Sequence, residues 1–307
     1  MHASNIENSI KIKKKKPLKI YNVKRALIPW LFLIPGLFFT ILLRYYTIFQ
    51  GLKLAFYKYN LADPPGDFIG FKNFEYLFKN KAYWTAWYNS FVFFGLIIGL
   101  NFFIPLIEAL LLAEIVKLRS FFSTLYILPA VIPLTVNVLL WRWIYDPSYG
   151  IANRIITIFG GKPMLWLSDV HMVKFCIILP GVVGGGLGVL LYLAAILGVS
   201  EDIKEAAQID GCAGFKRLFY ITLPNIKFMI FIQLLLTTMG AFQLLDLPFQ
   251  YTNGGPGDAA QTVSVLIYHL FTRNFDYGQA SAASIPLLLV ICIITFIQLR
   301  LNKEEKV

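Results

Sequence analysis

Apolar residues gather into long runs separated by short polar stretches, and the runs have a common length. They cover roughly 27–49, 87–113, 121–144, 173–198, 228–247 and 280–299, and the first is broken only by Arg44. Crossing a hydrocarbon core of about 30 Å takes about 20 apolar residues in a helix, so each run is long enough to span. The pattern predicts an all-α membrane protein with six transmembrane helices. The first run follows a polar, basic stretch with Lys13 to Lys16 in one block. It lacks the small-residue cleavage site of a signal peptide, so it is expected to stay as the first helix.

Orientation follows from Lys and Arg. With the N-terminus inside, the inner segments 1–27, 114–120, 199–227 and 300–307 carry eight, two, four and three of the 28, which favours both termini on the cytoplasmic side. Lys53, Lys58, Lys72, Lys79 and Lys81 in the first outer loop depart from that pattern. The expected organisation is a basic cytoplasmic tail (1–26), a first helix with its outer loop (27–86), a five-helix core (87–299) and a cytoplasmic tail (300–307). Pro64-Pro65-Gly66 marks a turn in the outer loop. Phe71, Phe74, Tyr76, Leu77 and Phe78, mixed with Lys72 and Glu75, suit a short amphipathic segment at the interface. The tight connection 114–120 makes the second and third helices antiparallel neighbours.

Composition narrows the class. Of 307 residues, 57% are hydrophobic and 15% charged, against about 25% charged in a soluble domain, and the mean hydropathy is +0.64. One soluble core cannot hide so much apolar surface, so a soluble enzyme and a disordered chain are both excluded. The net charge of +11 fits cytoplasmic loops and anionic headgroups, not nucleic acid. Cys176, Cys212 and Cys292 have no metal spacing, and His2, His171 and His269 lie near no Cys pair or paired carboxylates. Gly160-Gly161-Lys162-Pro163 lacks the Ser or Thr of a phosphate loop. No nucleophile–base set, metal site or cofactor motif is present, and no internal repeat is visible.

The longest inner connection, 199–227, has its own order. Ser200 can cap a helix, Glu201 and Asp202 suit its positive end, and Ala206 and Ala207 favour it. Gly211 permits a sharp turn. A second short helix is expected over 213–220, and Pro224 is expected to make the chain restart. Two short helices joined by an elbow, with small residues and no catalytic set, suit docking into a cleft on another protein.

The run Glu205-Ala206-Ala207, Gly211, Ile221, Leu223, Pro224 has the spacing E-A-A-x3-G-x9-I-x-L-P. It resembles the EAA loop of permease subunits of binding-protein-dependent ABC importers, with Cys212 where a small residue such as Ala is usual. The likeness extends over roughly 25–300. Phe68-Ile-Gly-Phe-Lys-Asn-Phe74, Trp143-Ile-Tyr-Asp-Pro-Ser-Tyr-Gly150 with Asn153, and Thr252-Asn-Gly-Gly-Pro256 with Thr262 and Tyr277-Gly278-Gln-Ala-Ser281 resemble the outer loops of the carbohydrate-uptake branch. The nearest type there is the maltose-permease-like subunit, with a MetI-like type I fold. The resemblance implies that the loop is a coupling helix inserting into an ATPase subunit. Glu205 would pair with a cation there, Ala206 and Ala207 would allow close approach, Gly211 would form the elbow beside Asp210, and Ile221, Leu223 and Pro224 would complete the motif. It also implies a second, non-identical permease, two ATPase subunits that hold ATP and Mg, an extracellular solute-binding protein, a sugar or oligosaccharide as substrate, and the bacterial cytoplasmic membrane as location.

Polar residues inside spans are functional candidates by default. Gln233, Thr237, Gly240 and Gln243 of the fifth helix fall within an arc of about 120°; they either line a path for sugar hydroxyls or bond neighbouring helices. Gly181, Gly184, Gly185 and Gly188 of the fourth share one face, either for close packing or as a locally unwound segment lining a cavity. Asn137 of the third joins the candidate path. Arg44 suits snorkelling, and Glu108 has no assigned role. A stand-alone ion-coupled secondary transporter is the alternative; Glu108 would be its coupling carboxylate.

Overall fold

The computed structural model describes residues 23–60, 66–115, 117–183 and 186–304. The tail with Lys13 to Lys16, the Pro64-Pro65 turn, and Gly184 and Gly185 lie outside the described residues. Residues 1–51 form one compact unit and 52–307 a second. The first holds nearly all of α1 (Pro29–Leu54), an apolar helix with none of its span buried by the chain. Its two threonines turn back on their own helix: Thr40 Oγ1 donates to Gly36 O and Thr47 Oγ1 to Leu43 O, each at 2.8 Å. This satisfies their polar hydrogens within the helix itself.

The second unit is almost wholly helical, with one two-stranded antiparallel pair, β1 (Tyr57–Lys58) and β2 (Asp67–Phe68). The amphipathic segment expected in the outer loop is α2 (Lys72–Lys79), which buries Asn73 and Leu77 and leaves Phe71, Tyr76 and Phe78 outside. Next, α3 (Lys81–Glu114) starts at Asn80, whose Oδ1 accepts the Ala82 N–H at 2.9 Å; it passes through a π turn at Ile97–Phe102. Then come α4 (Arg119–Val131) and α5 (Leu134–Ile144), α6 (Ile151–Ile158), α7 (Val173–Gly181) and α8 (Gly186–Leu197), α9 (Glu201–Ile209), α10 (Phe215–Asn225) and α11 (Lys227–Phe242), α12 (Asp246–Thr252), α13 (Val263–Thr272) and α14 (Tyr277–Glu304).

Among the described residues, α1, α3 and α14 are each long and apolar enough to cross a membrane, and the number reaches six if each bent pair α4–α5, α7–α8 and α10–α11 is one span. The third expected helix, 121–144, is therefore not straight. It bends by 95° between α4 and α5, where Ile132 is extended before Pro133; a proline drives the residue before it out of the helical region. The restart expected at Pro224 falls later. α10 runs on through Pro224, and the 70° bend lies at Ile226. A π turn at Leu218–Thr222 precedes the proline, and this wider turn accommodates its missing N–H and its ring. The expected helix 213–220 is thus shifted to Phe215–Asn225. The fifth helix, expected to reach 247, ends at Phe242, and the short helices α12 and α13 follow it.

Three apolar clusters hold the second unit together. Phe102, Leu106, Ala109 and Leu112 of α3 recur at helical spacing and meet Val189, Tyr192, Leu193 and Ile196 of α8, the i, i+3, i+4 stripe of a packed face. Tyr83 and Trp87 of α3 join Phe242, Val263, Leu270 and the small residues Ala280, Ala282 and Ala283, which let α14 come close. Phe93, Val138, Val173, Ile177 and Tyr251 form the third.

Candidate coupling hairpin and solute path

The hairpin of α9 and α10 is closed by its own backbone. The Cys212 N–H donates to Ala207 O at 2.8 Å and the Gly211 N–H to Gln208 O at 3.1 Å. This double bond pattern, with Gly211 at φ +69°, is a Schellman motif. Gly214, at φ +57°, aims the chain into α10. Ser200 stands at the N-terminal cap of α9 without bonding it through its side chain; Glu201 reaches Lys204 instead, at 2.8 Å. Of the residues singled out in the sequence, Glu205, Ala206, Asp210, Gly211 and Pro224 are exposed, Ile221 and Leu223 are half-buried, and Ala207 is buried. Ile209 and Phe215, on either side of the elbow, are 86% and 81% exposed. Arg217 of α10 forms an ion pair with Glu114 at the end of α3, Nη2 to Oε1 at 2.5 Å, a contact the sequence reading did not anticipate.

The residues of the expected solute path are spread over several environments. Gln233 is buried where α11 passes Gly188 and Pro105. Thr237 is half-buried and Gly240 exposed. Gln243 follows the end of α11 and, with Ser264, Tyr268, Ser281 and Ser284, lines a cavity of about 410 Å3. These hydroxyls on α13 and α14 were missed because isolated serines in apolar helices carry no spacing signal. Thr238, the neighbour of Thr237, is fully buried and accepts a hydrogen bond from Gln298 Nε2 of α14 at 2.9 Å. Asn137 lines a second cavity of about 450 Å3 with Pro129, Ile132, Pro180 and Gly181, beside the breaks in α4–α5 and α7–α8. Gly181 lies against Asn101 of the α3 π turn so closely that a Cβ would collide with its amide, and Asn101 Oδ1 is buried with no hydrogen-bond partner.

The loops around 147–166 and 258–261 are knit by buried amides. Asn153 donates to Pro147 O at 3.0 Å and Met164 O at 2.9 Å, and its Oδ1 accepts from Met164 N at 2.9 Å and Trp166 Nε1 at 2.8 Å. Asn89 Nδ2 donates to Asp258 O at 2.7 Å and Gln261 O at 3.0 Å. Arg142, Tyr145, Asp146, Ser168, Tyr251 and Thr252 line a polar cavity of about 360 Å3; burial, and to a lesser degree Cys176, push the Tyr145 and Tyr251 phenols above their ordinary value. His269 of α13 meets Asn253 Oδ1 at 3.0 Å. Its imidazole is held below the usual range by burial and by Arg273, with Asp258 pulling the other way.

The chain is predominantly helical, with helices apolar enough to cross a membrane, as in an inner-membrane transport component. It belongs to the family described as the binding-protein-dependent transport system inner membrane component, which its residues 109–306 match. It is 32% identical to the probable ABC transporter permease protein YurN of Bacillus subtilis over 92% of this chain and 98% of that one. It is 29% identical to the trehalose/maltose transport system permease protein MalF of Thermococcus litoralis over 79% and 82%. Two solved structures share the fold: a bacterial ABC transporter involved in the import of the acidic polysaccharide alginate (TM-score 0.81, 24% identity, 92% of this chain and 97% of that one), and a bacterial alginate ABC transporter in complex with an alginate pentasaccharide-bound periplasmic protein (TM-score 0.79, 25%, 90% and 94%).

Proposed function

We propose that this chain is one permease subunit of an ATP-driven importer that moves a sugar or oligosaccharide across the bacterial cytoplasmic membrane by alternating access. The observation that carries the reading is the hairpin: Glu205, Ala206, Asp210 and Gly211 lie exposed on a turn that its own backbone closes. Glu205 pairs with a cation on a separate ATPase subunit, Ala206 and Ala207 allow the approach, and Ile221, Leu223 and Pro224 carry the movement toward α11. The chain spans the membrane six times with both termini inside. It binds no cofactor; ATP and Mg are held by two ATPase subunits. A second, non-identical permease completes the path, to which this chain contributes Asn137, Gly184, Gly185, Gln233, Thr237, Gly240 and Gln243. A loaded extracellular solute-binding protein delivers the sugar. Family membership supports the importer reading. The trehalose/maltose permease among the relatives, and the alginate transporter solved with its periplasmic protein, support a carbohydrate and a receptor.

The test is affinity purification of the tagged chain from native membranes in mild detergent, with identification of every co-purifying protein. A second permease and a nucleotide-binding subunit are expected. Glu205→Lys or Gly211→Pro is expected to leave the chain in the membrane and abolish uptake. A homo-oligomer without an ATPase, with uptake that follows an ion gradient, would overturn the reading in favour of an ion-coupled secondary transporter.

A further inference from the structure

The ion pair between Glu114 and Arg217 joins two parts of the chain that are 103 residues apart in sequence. Glu114 is the last residue of α3, and Arg217 lies in the first turn of α10, just past the elbow. A carboxylate at a helix C-terminus faces the negative end of the helix dipole and gains most from a nearby cation. Here that cation comes from the hairpin. The pair stands between two hollows. One, of about 620 Å3, has Leu110, Leu111 and Ile196 on one side and Cys212 and Phe215 on the other. The second, of about 290 Å3, reaches Arg119, Val199 and Lys204. Glu114 and Arg217 line both. Behind the pair, Arg119 donates to Ala113 O at 2.6 Å and to Ile115 O at 3.1 Å, linking the end of α3 to the start of α4. The side chains of Arg217 and Glu114 are 28% and 69% exposed, and exposed pairs add little to the stability of a resting fold. Its value lies in position: it is a side-chain contact between the hairpin and the end of α3.

We propose that the Glu114–Arg217 pair is a strut that transmits movement of the hairpin to the inner end of α3, and through Arg119 to α4. The inference rests on the coupling role proposed for the hairpin. Glu114 and Arg217 are positioning residues; neither is assigned contact with nucleotide or solute. The pair ties the side chain of Arg217 to the end of α3, so that end follows when the hairpin tilts. Without the pair the movement reaches α3 only through the apolar packing it shares with α8 and α10, and reaches it weakened.

The experiment uses the assembled complex of this chain with its partner subunits, in a background with Cys176, Cys212 and Cys292 changed to Ser. One spin label is placed on α3 at Leu111→Cys and another, in a separate preparation, on the hairpin at Lys216→Cys. Spectra are compared without nucleotide and with Mg-ATP plus vanadate. Both labels are expected to respond in the parent. In Glu114→Gln and in Arg217→Gln the hairpin label is expected to respond as before, while the α3 response falls about fivefold, within the range of ordinary site-to-site coupling. The charge-swapped double variant Glu114→Arg/Arg217→Glu is expected to restore it, an outcome that a merely structural defect does not produce. An α3 label that responds fully in both single variants overturns the strut while leaving the hairpin's role intact. A hairpin label that ignores nucleotide in the parent overturns the coupling reading itself, and the strut with it.

Discussion

Gly211 is required by its backbone and not by its surroundings. Its φ is +69°, yet nothing lies within 4 Å of where a Cβ would stand. Gly211→Ala therefore costs the left-handed penalty alone, about 1–2 kcal/mol. Hydrogen exchange at the Cys212 amide is expected to speed up about tenfold, and Gly211→Asn, which tolerates this region better, is expected to give a smaller change. Unaltered exchange in the alanine variant would show that the Schellman closure does not hold the hairpin. Asn153 is the opposite case, a side chain defined by its partners. It is 5% exposed and forms four hydrogen bonds, so Asn153→Ala strands several buried groups at about 1–3 kcal/mol each. A clear fall in the melting temperature of the purified protein is expected; an unchanged one would mean that water replaces the amide. His269 adds a pH dependence. Its pKa is lowered from the ordinary 6.5, so below that pH the unfolded chain binds protons that the folded chain resists. Stability is expected to fall as pH drops from about 6.5 through the lowered folded value, and His269→Gln is expected to flatten that slope in thermal melts taken across the window. Of these three, only Gly211 was legible as a role in the sequence. Asn153 was visible as part of a loop likeness, but its partners, eleven and thirteen residues on, required the fold.

The elements were legible where hydrophobicity decides them. Among the described residues each of the six apolar runs is mainly helical, with breaks in the third, fourth and fifth, because an apolar segment has few other ways to satisfy its backbone hydrogen bonds in a membrane. The break between α7 and α8 falls in the glycine run, where an unwound segment was one of two readings; the positions of the proline breaks were not legible, since they depend on which carbonyl loses its partner. Pro133 bends its span by 95°, whereas Pro224 is taken into α10 behind a π turn; composition treats the two alike. α13 escaped notice because its ten residues fall short of a span. Its place is set by Thr262, which accepts the Val265 N–H at 3.2 Å and donates to Leu244 O at 2.7 Å. Pro133→Ala lets Ile132 return to helical angles. Labels placed on α4 and α5 are expected to move apart as the bend relaxes, and an unchanged distance would assign the bend to packing against α7 instead.

At the scale of the whole molecule, the exterior explains the composition. Leu31, Phe32, Phe103, Ile107, Leu111, Leu289 and Ile293 are all exposed, a surface that suits lipid and is costly in water. The orientation proposed from the Lys and Arg count has a direct check. A fluorescent-protein fusion after residue 307 is expected to glow, as it folds only inside, and a phosphatase fusion near residue 255 is expected to be active, as it works only outside. The reverse pair would invert the topology and put the hairpin on the wrong face for an ATPase. The turn of the hairpin was readable in the sequence because its chemistry is local, a glycine and a spacing. The surroundings of the candidate path residues were not, because Gln233 lies within α11 and Gln243 just past its end, against different neighbours.

The self-closed elbow has a consequence for assembly. A segment whose end groups are already satisfied does not have to order itself when another chain arrives, so association forgoes the entropy penalty that a loose loop carries. The hairpin is preorganised. On the docking role proposed for it, recognition at this surface is a rigid-body event, governed by shape and charge, and a short synthetic peptide of the same sequence, lacking the helices that frame it, is expected to bind the proposed ATPase partner far more weakly than the intact chain.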